Sequence, residues 1–86
     1  DAQSLASLDQ SVAAGVNFFD TAYAYGDGHS EQLLAQTLRA HADRKLYVAT
    51  QVPPKNRRWP GTAETSISEV FPYDYIVEMT DKSLQN

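Results

Sequence analysis

The stretch "NFFDTAYAYGDGHSEQLL", residues 17–34, joins three kinds of local structure in a few residues. Its apolar start predicts a short buried strand over residues 16–20 that ends at Asp20. The glycines and polar residues of 26–30 predict a turn. Ser30 is a favoured helix cap and Glu31 complements a helix dipole, so we expect a helix over residues 30–41. The predicted strand therefore ends in an acid, and two tyrosines follow it within five residues.

The flanking sequence continues the alternation of helix and strand. Leu5, Leu8 and Val12 share one helical face and Gly15 can end a helix, which predicts a helix over residues 2–14. The β-branched and aromatic residues of "KLYVATQV" predict a second buried strand over residues 45–52. Prolines, glycine and hydroxyl residues predict a loop over residues 53–70. A third helix is expected over residues 72–86, with a buried side formed by Tyr73, Ile76, Val77, Thr80 and Leu84.

Strands separated by helices predict an α/β fold with parallel pairing through right-handed crossovers. Barrels and doubly wound sheets both bring the carboxyl ends of such strands to one face, where ligands bind. Asp20 and Gln51 each end a predicted strand, so we expect them together on that face. Phe18 and Asp20 should share one side of their strand. A barrel axis tolerates that carboxylate better than a helix layer does.

Composition excludes several classes of protein. The chain has 86 residues, no cysteine and a formal charge of -4, which excludes disulfides and thiolate metal sites and argues against nucleic-acid binding. No apolar run approaches the roughly 20 residues that span a bilayer, and no signal-peptide pattern is present. We therefore expect one cytoplasmic domain with no membrane or nucleic-acid partner.

Two other groups of residues could carry chemistry. His29 and His41 lack neighbouring ligands, so surface or capping roles are expected for them and no metal site is predicted. The run "KNRRWP", residues 55–60, mixes cations with a tryptophan, as anion and nucleic-acid sites do. The alternative, which the net acidity favours, is a loop at a barrel mouth where an arginine stacks on Trp59. Such a loop could border a substrate pocket.

Three segments together suggest a family. "NFFDTAYAYGDGHSEQLLAQTL", "LYVATQVPPKN" and "FPYDYIVEMTDKSLQN" closely resemble the first part of an aldo-keto reductase, and the D-T-A-x-x-Y element is the most specific part. The resemblance implies a fragment of a (β/α)8 barrel. It also implies reduction of aldehydes or ketones by hydride from NADPH.

The resemblance assigns roles to three positions. Asp20 matches the family's catalytic aspartate, and Tyr25 matches the tyrosine that protonates the carbonyl oxygen. Gln51 stands where the family has a lysine that eases this proton transfer. The family's catalytic histidine, and most of its cofactor contacts, lie on later strands. An unactivated phenol has a pKa of about 10 and is a weak acid at neutral pH without a neighbouring cation. We therefore expect the chain itself to be inactive and to bind no NADPH.

Two functional classes remain open at this point. The chain is either part of, or derived from, a reductase, or it is a non-enzymatic module that associates with itself or binds a partner. A first residue other than methionine and an uncapped helical pattern at the other end suggest a piece of a longer chain. Because two parallel strands leave unpaired edges, we expect 86 residues alone to form a homo-oligomer.

Overall fold

The computed structural model describes residues 1–86 and contains the predicted alternation of helices and parallel strands. The order is α1 (Ala2–Ala13), β1 (Phe18–Asp20), α2 (His29–Ala40), β2 (Tyr47–Ala49), α3 (Ile67–Val70) and α4 (Tyr73–Gln85). The two strands pair in parallel, with Phe18 opposite Tyr47 and Asp20 opposite Ala49. The α/β class with two parallel strands is confirmed. None of the helices is long and apolar enough to cross a bilayer.

The elements differ from the expected ones at several boundaries. Residues 16–20 and 45–52 contain strands of only three residues each, Phe18–Asp20 and Tyr47–Ala49. The segment predicted as a loop, 53–70, ends in the one-turn helix α3. A backbone hydrogen bond of 2.8 Å from the Lys55 N–H to the Val70 carbonyl joins the two ends of this segment. That closure holds the end of the segment in place and allows a helical turn there.

The turn before α2 is built by glycines rather than by a serine cap. Gly28 precedes α2 with φ of 97°, and no side chain caps the helix. Gly26 also has a positive φ, of 73°, which a residue with a Cβ rarely adopts. The Ser30 hydroxyl, expected to cap this helix, instead lies 2.7 Å from the hydroxyl of the buried Thr21. Ser30 therefore ties α2 to the chain that leaves β1.

The core is small, and its residues come from the helices and from the segment that follows β1. Only nine of the 86 residues are buried, among them Val12 on α1, Leu34 on α2 and Met79 on α4. The expected buried side of α4 is wrong, since Tyr73 and Leu84 are 80% and 81% exposed. Met79, on another side of the helix, is the residue that packs inward.

The other side of the sheet is open, which corrects the prediction of two buried strands. Phe18 is 60% exposed and Tyr47, its partner across the strands, is 47% exposed. No further layer of the chain shields this side of the two-stranded sheet. In a complete barrel that side faces the barrel axis and is covered by the remaining strands.

Candidate functional site

Asp20 and Gln51 are neighbours at the carboxyl ends of β1 and β2. The hydrogen-bonded ladder continues past the strands, through the Thr21 N–H to the Ala49 carbonyl at 2.8 Å and the Tyr23 N–H to the Gln51 carbonyl at 3.2 Å. This pairing fixes the two chain segments side by side. The Gln51 amide Nε2 lies 3.4 Å from Asp20 Oδ1, within reach of a long hydrogen bond. The parallel register thus brings together two residues that are 31 positions apart.

Tyr25 lies on the turn that follows β1, close to this pair. Its N–H donates to the Ala22 carbonyl at 3.1 Å, and its own carbonyl accepts from the Ser30 N–H at 3.2 Å. These bonds hold the backbone of the turn while the side chain stays 58% exposed. Tyr25 and Gln51 both line an open cleft of about 370 Å³. The structure therefore places all three sequence-predicted residues in one corner.

Trp59 forms another wall of the same cleft, together with prolines 53 and 54 and Phe71. The segment 55–60 therefore borders the site, as a barrel-mouth loop would. The expected stacking of an arginine on Trp59 is absent. Arg57 instead approaches Asp27, with 3.8 Å between Nη1 and Oδ1, and Lys55 lies 6.0 Å from the centre of the Tyr75 ring. Trp59 is left 73% exposed.

No charged side chain lines this cleft. A nicotinamide dinucleotide carries phosphates, which proteins bind with cations or with clustered backbone N–H groups. The cleft offers aromatic and apolar surface together with the Gln51 amide, and this lining suits an uncharged group better than a phosphate. The residues of this corner therefore do not fit the charged part of NADPH.

A buried carboxylate lies next to the site and was not recognised from the sequence. Glu31, expected only to complement a helix dipole, is 7% exposed. Its Oε1 accepts hydrogen bonds from the Thr50 hydroxyl at 2.5 Å and the Ser83 hydroxyl at 2.8 Å, and its Oε2 accepts one from the Asn86 amide at 2.7 Å. Burial raises the pKa of Glu31, but the three hydrogen bonds outweigh it and hold the pKa below 4.5. The carboxylate joins α2 to α4 and to the residue before Gln51.

The two histidines lie away from the cleft, each beside a carboxylate. His29 pairs with Asp1, and His41 Nε2 lies 2.9 Å from Asp9 Oδ1. The second pair links the residue after α2 to α1. Both contacts are structural links between helical segments, and neither histidine lies with the Asp20 corner.

Comparison with known proteins assigns the chain to a family. No solved structure matched it. The model of the aldo/keto reductase family matches residues 1–86, which is the whole chain. The match supports an oxidoreductase origin, and the family's (β/α)8 barrel agrees with the parallel strands and covering helices seen in this chain. This chain belongs to the aldo/keto reductase family and carries two of that barrel's strands.

Proposed function

We propose that residues 1–86 form the proton-donor corner of a carbonyl reductase that takes hydride from NADPH, and that this corner is weakened by Gln51. The observation that supports it is the contact between Gln51 Nε2 and Asp20 Oδ1, 3.4 Å apart, beside the exposed Tyr25. The family places its lysine and aspartate at these two positions. Asp20, Tyr25 and Gln51 are therefore the proposed site residues.

The proton side of the reaction follows from these side chains. A substrate carbonyl oxygen in the cleft would accept the proton of the Tyr25 hydroxyl as the carbonyl carbon is reduced by the cofactor's hydride. A tyrosine that gives up its proton needs a cation beside it, because the cation stabilises the negative charge of the phenolate that forms. Gln51 offers an amide N–H but no charge, and its amide is directed at Asp20. We therefore propose weak proton donation by Tyr25.

The 86-residue chain alone is proposed to be inactive and to bind no NADPH, because the family's catalytic histidine and most of its cofactor contacts lie on later strands. Titration of the chain with NADPH, followed by cofactor fluorescence, should show no saturable binding. Carbonyl-dependent NADPH oxidation should equal the rate without protein. Saturable binding at micromolar NADPH would contradict the proposal. The cytoplasmic setting inferred from the sequence stays a prediction.

The role of Tyr25 is testable in a chimera in which residues 1–86 replace the equivalent segment of an active family member. Tyr25→Phe in a chimera that also carries Gln51→Lys should lower kcat by about 100-fold to 1,000-fold, because it removes the proton donor. Tyr23→Phe is the matched control, since the Tyr23 side chain does not line the cleft. Equal losses in the two variants would show that Tyr25 is not the proton donor.

A second candidate function is that of a non-enzymatic, self-associating module, and the uncovered side of the sheet supports it. Phe18 and Tyr47 expose aromatic rings side by side on that surface. Apolar surface of this kind normally marks an interface. The chain is therefore proposed to be a homo-oligomer when it is alone in solution, which light scattering at micromolar concentration can test.

A further inference from the structure

The first turn of α2 lies against the chain just after both strands. Ser30 and Glu31 are consecutive residues of this turn, and each contacts a threonine on a different strand segment. The Ser30 hydroxyl lies 2.7 Å from the hydroxyl of Thr21, and the Glu31 carboxylate accepts a hydrogen bond of 2.5 Å from the Thr50 hydroxyl. Two adjacent residues of one helix therefore link that helix to both segments of the parallel pair.

The two threonines are direct chain neighbours of the proposed site pair. Thr21 follows Asp20, and Thr50 precedes Gln51. Side chains alternate between the two sides of a strand, so a threonine that faces α2 directs its neighbour to the opposite side. Asp20 and Gln51 meet on that opposite side, with 3.4 Å between Oδ1 and Nε2. Each link to α2 therefore acts on the residue next to one member of this pair.

The contact between Asp20 and Gln51 is too weak to set its own geometry. At 3.4 Å it is close to the outer limit of a hydrogen bond, and neither side chain makes another side-chain hydrogen bond. Both residues are exposed, so packing does not hold them either. Their separation is therefore set by the backbone of the two segments. That backbone is held by the ladder bond of 2.8 Å from the Thr21 N–H to the Ala49 carbonyl and by the links to α2.

The link from Glu31 is firmer than the contact it serves. Glu31 is 7% exposed on the first turn of α2, so the helix and the surrounding atoms hold its carboxylate in place. Hydrogen bonds to a carboxylate are shorter and roughly twice as strong as neutral ones. A fixed carboxylate holds the Thr50 hydroxyl in one position, and with it the backbone that leads into Gln51. Glu31 can therefore act on position 51 without touching a substrate.

We propose that Glu31, acting through Thr50, is a positioning residue for the side chain at position 51. It fixes the distance from that side chain to Asp20, and the Ser30 link does the same from the other strand. The inference rests on the reductase role proposed above and names residues that its proton-donor corner needs. A displacement of about 1 Å in such a site can lower a rate on the order of 100-fold. The placement of position 51 therefore matters as much as its charge.

The proposal is tested by the nuclear magnetic resonance signals of the Gln51 side-chain amide in the 86-residue chain, with isotope-labelled glutamine. Asp20→Asn should move these signals, because the two groups are in contact. Thr50→Val removes the hydroxyl and keeps the β-branched shape. In the Thr50→Val background the change caused by Asp20→Asn should shrink at least about twofold, since a hydrogen bond weakens steeply as its geometry is lost. Thr50→Ser keeps the hydroxyl and should restore the full response.

Ser83→Ala is the matched control. It removes the other hydroxyl that bonds to Oε1 of Glu31, but this hydroxyl lies on α4 and not on a strand segment. It should lower stability by a similar amount and leave the response to Asp20→Asn unchanged. Equal responses in Thr50→Val and Ser83→Ala would overturn the proposal. If Thr50→Val fails to fold, Thr21→Val breaks the corresponding link at the other strand and should reduce the response in its place; an unchanged response there would also overturn the proposal.

Kinetics in a chimeric barrel that carries Gln51→Lys supply a second readout. Thr50→Val should lower kcat by about 10-fold to 100-fold and leave KM unchanged, whereas Ser83→Ala should change neither. Equal kcat values for the Thr50→Val chimera and its parent would refute the positioning role. The amide measurement involves no substrate or cofactor, so it decides the positioning role even if the Gln51→Lys chimera is inactive. Inactivity of that chimera would refute the reductase proposal alone.

Discussion

Replacing Glu31 with glutamine should destabilise the fold although the two side chains have nearly the same shape. The Glu31 carboxylate is buried and accepts three hydrogen bonds, from Thr50, Ser83 and Asn86. A glutamine oxygen can still accept from the two hydroxyls, but its NH2 group would face the NH2 group of Asn86. One hydrogen bond is therefore lost, and the other two are no longer made to a charged acceptor.

The magnitude follows from ordinary hydrogen-bond energies. Bonds to charged groups contribute about 1.5–3 kcal/mol and neutral ones about 1 kcal/mol. The free-energy loss from one missing hydrogen bond to a charged acceptor and from two weakened ones is partly offset, because burying a neutral side chain costs less free energy. We expect a net loss of about 2 kcal/mol in the free energy of unfolding. With a urea m-value of about 1 kcal/mol/M for a chain this small, the midpoint should fall by about 2 M.

The assay is urea unfolding followed by far-ultraviolet circular dichroism at one fixed chain concentration, since association would shift the midpoint. Glu64→Gln, which changes an exposed acid, is the control and should alter stability by less than about 0.5 kcal/mol. Equal midpoints for Glu31→Gln and the parent at pH 7 would refute the reasoning. A variant already unfolded without urea, beside a folded control, would agree with it.

The pH dependence supplies a second readout of the same carboxylate. The pKa of Glu31 is lowered by its hydrogen bonds below 4.5, its ordinary value. The stability that Glu31 contributes is therefore complete above about pH 4.5 and is lost as the pH falls through the lower pKa of the folded state. The difference in unfolding free energy between the parent chain and Glu31→Gln should therefore become smaller in acid. A difference that grows below pH 4.5 would contradict the lowered pKa of Glu31.

Two further predictions concern the core and the loop. Val12→Ala should cost about 2 kcal/mol in unfolding free energy, because Val12 is 1% exposed. The control Val16→Ala, at a residue that is 42% exposed, should cost under about 0.5 kcal/mol. Urea midpoints compare the two variants, and equal costs would contradict the packing of Val12. Tyr75→Phe should cost about 1 kcal/mol, since the hydroxyl donates to the Pro53 carbonyl at 2.7 Å. Burial raises the pKa of Tyr75 above 10.0, so the parent should lose stability as the pH rises above about 10, and ultraviolet titration that finds a pKa below 10 would contradict this.

Local patterns were sufficient to predict that two parallel strands end near Asp20 and Gln51, although β2 ends at Ala49 and not at residue 52. Apolar runs and glycines indicate strands and turns, and the rule that parallel strands share one carboxyl face predicts that their end residues meet. The roles of Tyr25 and Gln51 came from the family resemblance, since nothing in the local pattern distinguishes a catalytic tyrosine from a packing one.

The role of Glu31 could not be predicted from its surroundings in the sequence. Its donors are 19, 52 and 55 positions away, and only the tertiary fold brings them together. The inward side of α4 was missed for a related reason. The apolar residues Tyr73 and Leu84 suggest a buried stripe, but both side chains are exposed and the helix packs through Met79.

We propose that Gln51 leaves the Tyr25 corner without the cation that the family places there. The most direct test compares kcat for carbonyl-dependent NADPH oxidation between two chimeric barrels carrying residues 1–86, one with Gln51 and one with Gln51→Lys. A preorganised electrostatic group of this kind contributes about 100-fold to 1,000-fold to the rate. We predict that the Gln51→Lys chimera is faster by that factor. Equal kcat values in two folded chimeras that both bind NADPH would contradict the account.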